Sequence, residues 1–264
     1  MRLSKENIGA MNMIYAHHSW QAFLDSMERL GIRQFELFAP TPHFDVQQMS
    51  QEDISNFKAE LERRNMRITC LTPEQCNYPH NLAARNCCVR QEAIAYFKDY
   101  MMAAKKLGID KMLVSSGWGD VDEDIEDAWK RSMESLRELI AFAEEIELNL
   151  VFEILNEYET NLANCFENMK RIIKEVNSPC LKFCIDTVPV ELEHKTLEEY
   201  FRTFTDRIIH IHMTDGDPLG HIPPGLGRYD MAEYFKVLEK YDYTGFVTIE
   251  IADTTWSNEP EKAT

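Results

Sequence analysis

The chain has 264 residues, of which 44% are hydrophobic, and this composition suits one large globular domain and excludes a chain dominated by disorder. Its 28 basic and 45 acidic residues give a formal net charge of -17, which opposes binding to a nucleic acid duplex or to an anionic membrane. The sequence shows neither a secretory signal nor a run of about 18 apolar residues. We therefore expect a cytoplasmic protein whose partner is a small, neutral or cationic molecule.

Short apolar runs alternate with longer amphipathic segments along the whole chain. Eight runs have the length and composition of strands, at residues 9–14, 34–38, 67–71, 111–115, 149–154, 181–185, 208–213 and 246–251. In three of the segments between them, apolar residues recur every three or four positions, which predicts helices that bury one face. These stripes contain Ile94, Phe97, Met101 and Ala104; Ile125, Trp129, Met133, Leu136, Ile140 and Ala143; and Leu162, Phe166, Met169, Ile173 and Val176.

Strands that alternate with helices pair in parallel through right-handed crossovers. A closed barrel and an open, doubly wound sheet both fit this pattern. The barrel is favoured because no glycine-rich nucleotide-binding turn follows the first strand, and because polar residues accumulate at the C-terminal ends of several strands. No linker divides the chain, so we predict one (β/α)8 TIM-barrel domain over residues 1–264.

The eighth helix of this barrel is missing or truncated in the sequence. Only residues 252–264 follow the last predicted strand, and they lack an amphipathic stripe. A flank of the barrel would then lack its usual cover. We therefore expect a homo-oligomer in which a second subunit packs against that flank.

The seven cysteines are predicted to be free thiols in a reducing compartment. Their number is odd, and no pair has the Cys-x-x-Cys spacing of a zinc ribbon.

Four consecutive predicted strands end in a residue that can bind a metal ion, namely Glu153, Asp186, His212 and Glu250. Successive members lie about one strand-plus-helix unit apart, so neighbouring strands would present them side by side at one mouth of the barrel. Three carboxylates that converge at the ends of apolar strands would repel one another without a cation. The set therefore predicts a site for one divalent ion.

Each of these residues has a structural alternative when it is considered alone. Glu153 or Glu250 could be a salt-bridged strand end, and Asp186 could cap the following helix. His210 and His212 point the same way on their strand, and we choose His212 because it is nearer the C-terminal mouth. The spacing of all four together favours the metal site.

Three carboxylates and one imidazole form a hard ligand set of oxygen and nitrogen. Mn²⁺ is the expected ion, Mg²⁺ and Co²⁺ also suit this set, and ligand type alone does not exclude Zn²⁺. Octahedral coordination would leave two positions for substrate oxygens.

At these residues the sequence resembles the xylose isomerase-like barrel superfamily, in particular its sugar 3-epimerase branch. The order of Glu153, Asp186, His212 and Glu250 on strands five to eight matches that branch. Glu159, six residues after the first ligand, matches a substrate-contacting position there.

Within this branch the sequence closely resembles the fructoselysine 3-epimerase family. The similarity lies in TPEQCNYPHN at residues 72–81, HMTD at 212–215, HIPPGLG at 221–227 and NEP at 258–260. Tagatose-type epimerases carry a substrate-binding His where this chain has Pro189 and an Arg where it has Pro218, and family members usually carry Glu at the position of Leu226. These departures favour a substrate with an appendage on the sugar, such as an amino acid.

The resemblance implies a metal-dependent epimerase that inverts C3 of a 2-ketose or of a ketosamine of the fructoselysine type through an enediolate. Glu153 and Glu250 would be the two acid/base groups, and Glu159 would bind a substrate hydroxyl. His221 is a further predicted substrate contact, because the loop after the seventh strand would bring it to the appendage. Three alternatives share the same architecture. They are an aldose–ketose or hydroxypyruvate-type isomerase, an inosose- or dehydroshikimate-type dehydratase, and a non-catalytic sugar-binding barrel.

Overall fold

Eight parallel strands form a closed barrel in a computed structural model that describes residues 4–39, 42–75 and 80–264. Each strand pairs with its neighbours in sequence, and the first strand closes the barrel against the last. The strands are β1 (Ile8–Met11), β2 (Gln34–Phe38), β3 (Arg67–Thr72), β4 (Lys111–Val114), β5 (Asn149–Glu153), β6 (Leu181–Asp186), β7 (Ile208–Met213) and β8 (Phe246–Ile249). The predicted TIM barrel is confirmed.

The strand boundaries differ from the prediction mainly at β1, which was expected to continue to residue 14. The chain instead leaves the barrel after Met11, and Met13–Tyr15 forms a 3-10 helix. Ile14 and Tyr15 are buried in that turn, so the apolar run that predicted a longer strand reflects burial of the turn.

Eight α-helices cover the described barrel, and side chains cap several of them. Ser50 and Thr196 each accept a hydrogen bond from the third residue of the helix that follows, and the side chain of that residue bonds back to the cap. The helices are α1 (Trp20–Leu30), α2 (Gln51–Arg63), α3 (Cys87–Leu107), α4 (Ile125–Glu145), α5 (Phe166–Glu175), α6 (Thr187–Leu192), α7 (Leu197–Phe204) and α8 (Met231–Lys240).

Both α6 and α7 lie between β6 and β7, so the described chain has no α-helix after β8. Two 3-10 helices, Thr254–Trp256 and Pro260–Lys262, follow β8 instead. This segment packs beside α1, where Glu261 accepts hydrogen bonds from Ser26 and Arg29. The homo-oligomer expected from the missing helix stays a prediction.

The strands bury side chains on both of their faces. Phe35 and Leu37 of β2 are fully buried in the large core between strands and helices. Cys70, Leu113, Val151 and Cys184 form a separate apolar cluster, with one residue from each of β3, β4, β5 and β6. This cluster is part of the packed interior of the barrel, directly below the layer that carries the strand-end carboxylates.

The six described cysteines are free, as predicted, although Cys87 and Cys88 are exposed; Cys76 lies outside the described residues. No helix in the described part of the chain is long and apolar enough to cross a membrane.

Candidate metal centre at the barrel mouth

The structure brings all four predicted metal ligands to the C-terminal mouth of the barrel. Glu153 is the last residue of β5, Asp186 is the last of β6, His212 is the next to last of β7, and Glu250 directly follows β8. All four are buried. They meet because the strands are parallel and adjacent and end at the same mouth: Asp186 is the register partner of His212, while Glu153 and Glu250 lie within two residues of the positions that would pair with Asp186 and His212.

The imidazole of His212 lies at the centre of this group. Its Nδ1 atom is 2.6 Å from Oε1 of Glu153 and 3.0 Å from Oε2 of Glu250. Neither approach has the direction of a hydrogen bond, so Nδ1 is a buried ring nitrogen without a hydrogen-bond partner. A bound cation would satisfy this nitrogen and both carboxylates together, and the residues present therefore fit a divalent metal ion.

Asp186 has two separate roles in the structure. Its Oδ1 atom accepts a hydrogen bond from the backbone N–H of Val188 and caps α6, while its Oδ2 atom lies 3.3 Å from Nε2 of His221. Asp186 therefore caps α6, as the alternative interpretation predicted, and also belongs to the cluster. His221, predicted as a substrate contact, also lies 3.7 Å from Oε2 of Glu250.

Glu159, the other predicted substrate contact, stands at the edge of the cluster. Its carboxylate accepts hydrogen bonds from the backbone and side-chain amides of Asn156. Burial and the charges of Asp186 and Glu250 raise the pKa of Glu159, while the Asn156 backbone and His221 lower it. The roles of Glu159 and His221 toward a substrate stay predictions.

Asp215 organises the loop that carries His221. Its carboxylate accepts backbone hydrogen bonds from Gly216, Gly225, Gly227 and Tyr229. A Cβ atom at residue 227 would lie 2.2 Å from Oδ1 of Asp215, so only glycine fits there. The side chain of Leu226 is exposed.

Burial and crowding change the proton affinity of the cluster. Burial raises the pKa of Glu153 to about 7, even though His212 acts to lower it. Burial acts to lower the pKa of His212, but the negative groups around it raise that pKa well above its usual value. Burial likewise acts to lower the pKa of His221, while Asp186 and Glu250 raise it to about 10. Without a metal, protons on these groups partly neutralise the clustered carboxylates.

Metal binding at this site should therefore release protons. We expect the apparent association constant for Mn²⁺ to fall by at least roughly 10-fold between pH 8 and pH 6, since acid protonates Glu153 and His212. Isothermal titration calorimetry in buffers of different ionisation enthalpy measures both the affinity and the number of protons released. Tight binding without proton release, at constant affinity over this range, would contradict the prediction.

Glu36 on β2 belongs to the same region and was not singled out from the sequence. It is a fully buried carboxylate whose Oε2 atom lies 3.0 Å from Nε2 of His212 and 2.6 Å from Nε2 of His210. Burial acts to raise the pKa of Glu36, but the two histidines lower it well below its usual range. The sequence signal that could have identified Glu36 is a single acidic residue between apolar neighbours in the strand QFELF.

Part of the third-strand loop that carries the resemblance is described. Asn81 is buried, and its side chain bonds the backbone of Ala83 and Trp118. Tyr78 and Pro79 of the same motif lie outside the described residues.

A family model described as "Xylose isomerase-like TIM barrel" matches residues 24–264, and the chain belongs to this family. Fructoselysine 3-epimerase from Escherichia coli O157:H7 is 28% identical over 241 residues, which cover 90% of this chain and 87% of that protein.

Solved structures share the fold. D-psicose 3-epimerase from Clostridium cellulolyticum H10, determined with D-tagatose, has a TM-score of 0.80 at 24% identity, over 93% of this chain and 84% of that one. The IOLI protein, determined with a bound zinc atom, has a TM-score of 0.79 at 17% identity, over 97% and 93% of the two chains. The names of the sequence relatives confirm the predicted class, a carbohydrate epimerase.

Proposed function

We propose that this chain is a divalent-metal-dependent epimerase that inverts C3 of a 2-ketose or ketosamine, with a fructoselysine-type compound as the preferred substrate. The observation that carries the proposal is the pair Glu153 and Glu250, two buried carboxylates from different strands that converge on one unsatisfied nitrogen of His212. The similarity to fructoselysine 3-epimerase supports the choice of reaction.

Glu153, Asp186, His212 and Glu250 would hold the metal, with Mn²⁺ as the expected ion. When bound, the ion supplies a positive charge that stabilises the negative charge developing on the substrate oxygens at C2 and C3. The IOLI protein, which shares the fold, was determined with a bound zinc atom, so a bound divalent ion is compatible with this fold.

The two glutamates supply the proton chemistry. One carboxylate removes the proton from C3, and the electron pair of that C–H bond becomes the double bond of an enediolate across C2 and C3. The other glutamate, as the acid, donates a proton to the opposite face of C3. The product has the mass of the substrate, and exchange with water restores both carboxyl groups to their starting states.

His221 and Glu159 would bind the substrate, because Nε2 of His221 lies 3.3 Å from Oδ2 of Asp186 and the charges of Asp186 and Glu250 act on the carboxyl group of Glu159. Pro189 and Pro218 cannot donate hydrogen bonds from their side chains to the far hydroxyls of a free sugar. An amino acid appendage would instead occupy the outer part of the mouth, which supports a ketosamine ahead of a free ketohexose.

The test is product analysis in D₂O with Mn²⁺ present. We expect one deuterium at C3 of epimerised fructoselysine, and a higher kcat/KM on fructoselysine than on psicose or tagatose. NMR spectroscopy and mass spectrometry locate the label, and chelated protein is the control. Deuterium at C1 or C2 of an aldose would indicate an aldose–ketose isomerase, and a product lighter by one water would indicate a dehydratase. Binding of the sugar without any turnover would indicate a non-catalytic sugar-binding barrel.

A further inference from the structure

Glu36 is a charged group inside the barrel that the proposed proton chemistry does not use. It lies in the middle of β2 with no exposed surface. A buried carboxylate is costly unless hydrogen bonds compensate for the water it has lost. Its position also coincides with an irregularity in the pairing with β3, where the register shifts between Phe35 and Glu36.

Four side chains satisfy this carboxylate. Oε1 accepts a hydrogen bond from the hydroxyl of Thr72, and Nε2 of His212 faces both carboxylate oxygens, at 3.1 Å from Oε1 and 3.0 Å from Oε2. Oε2 accepts from the hydroxyl of Thr248 at 2.6 Å and from Nε2 of His210 at 2.6 Å. An ionised carboxylate is an acceptor only, with about four lone-pair sites, so each of these four groups has to act as a donor.

We propose that Glu36 is a positioning residue that keeps the proton of His212 on Nε2 and so leaves Nδ1 as the metal-binding atom. The inference rests on the proposed function, because it assigns a role toward the metal of that site. Nε2 faces the saturated carboxylate, while Nδ1 faces Glu153 and Glu250. Metal-binding histidines commonly donate their second ring N–H to a carboxylate, which fixes the tautomer and makes the ligand more basic.

The donors around Glu36 also keep it away from the metal. Thr72, Thr248 and His210 hold both oxygens below the ring of His212, so Glu36 orients a ligand without being one. His210 donates its Nε2 proton to Glu36, because an ionised carboxylate can only accept at that 2.6 Å contact. The second histidine of the HIH sequence therefore faces the metal site, and the first supports it from below.

The variant Glu36→Gln keeps the shape and changes the donor pattern. A glutamine amide accepts only through its oxygen, and its NH₂ group would face Nε2 of His212 in either orientation, because that atom lies about equally far from both oxygens of Glu36. His212 would then have to accept at Nε2 and carry its proton on Nδ1, which blocks the metal. We expect the affinity for Mn²⁺, measured calorimetrically, to fall by about 10- to 100-fold while circular dichroism is unchanged.

Glu175→Gln is the matched control, because it makes the same chemical change at a carboxylate of α5 that accepts hydrogen bonds from Trp129 and Arg171 and has no contact with the cluster described above. We expect this variant to bind Mn²⁺ like the parent protein. If Glu36→Gln folds and binds Mn²⁺ as tightly as the parent, the positioning role is wrong. If the parent itself binds no divalent ion, the proposed function fails first, so the two failures are distinguishable.

A second measurement does not depend on the stability of the variant. In the parent protein loaded with diamagnetic Zn²⁺ and labelled with ¹⁵N-histidine, NMR spectroscopy should show His212 protonated on Nε2 and metal-bound through Nδ1. The signal is assigned by its loss in His212→Asn. Coordination through Nε2, or a ring without a proton on Nε2, would overturn the inference.

Discussion

Replacing Glu153 or Glu250 by glutamine is expected to lower kcat for C3 epimerisation by about 10²- to 10⁴-fold. Each substitution keeps the shape of the side chain and removes the group that exchanges a proton on one face of C3. Both residues are buried and contact the same imidazole nitrogen, so neither can be replaced by bulk water or by a more distant acid. Steady-state kinetics with NMR detection of the epimer measures the effect.

Glu157→Gln is the matched control for these two variants. It makes the same chemical change on the loop that follows β5, at an exposed residue outside the cluster. We expect its kcat to match that of the parent. The metal content of every variant has to be measured, because Glu153 and Glu250 are also predicted ligands. Near-normal epimerisation in both variants, with metal retained, would show that the two-carboxylate mechanism is wrong.

Isotope exchange can show which face of C3 each of the two carboxylates serves. In D₂O, the variant that retains the glutamate on the side of the substrate's C3 proton can remove that proton and return a deuteron to the same face. Deuterium then enters recovered substrate although no epimer forms. The other variant shows no such exchange with the same substrate. We expect this asymmetry because Glu153 and Glu250 approach the site from different strands.

The barrel and its mouth were predictable because both depend on local periodicity. Strands and helices alternate regularly, and parallel neighbours place their C-terminal ends together, so one acid or histidine at each of four strand ends defines a cluster. The absence of an α-helix after β8 in the described chain was also predicted, since residues 252–264 carry no amphipathic stripe. The predicted end of β1 was wrong because a buried 3-10 turn and a buried strand both give a short apolar run in the sequence.

The support for His212 was not predictable in the same way. Glu36 lies 174 residues from His210 and 212 residues from Thr248 in the sequence, and these partners meet only because the barrel closes. The approach of His221 to Asp186 depends on a loop shaped by four hydrogen bonds to Asp215. Neither contact follows a period or a spacing that a single sequence displays.

Removal of the divalent ion is expected to abolish epimerisation, and added Mn²⁺ is expected to restore it. Asp186→Asn tests the site itself. An asparagine can still cap α6, because it accepts a hydrogen bond at that position as well as aspartate does. It removes one negative charge from the cluster, however, so the affinity for Mn²⁺ should fall. Loss of a residue that only supports a ligand costs about 10- to 100-fold in metal affinity, and we expect the loss of a ligand charge to cost at least as much.

Asp124→Asn makes the same change at the N-cap of α4 and should leave the affinity for Mn²⁺ unaltered. The dependence of rate on metal concentration then separates binding from chemistry. In Asp186→Asn, saturating Mn²⁺ should recover much of kcat, because both acid/base glutamates remain in place. In Glu153→Gln, saturation with the metal should not recover it, because the proton-transferring group is gone. Full activity of the parent after exhaustive chelation, with metal loss verified by elemental analysis, would refute the metal assignment. If Mn²⁺ alone restored the activity of Glu153→Gln, Glu153 would be a metal ligand without a role in proton transfer.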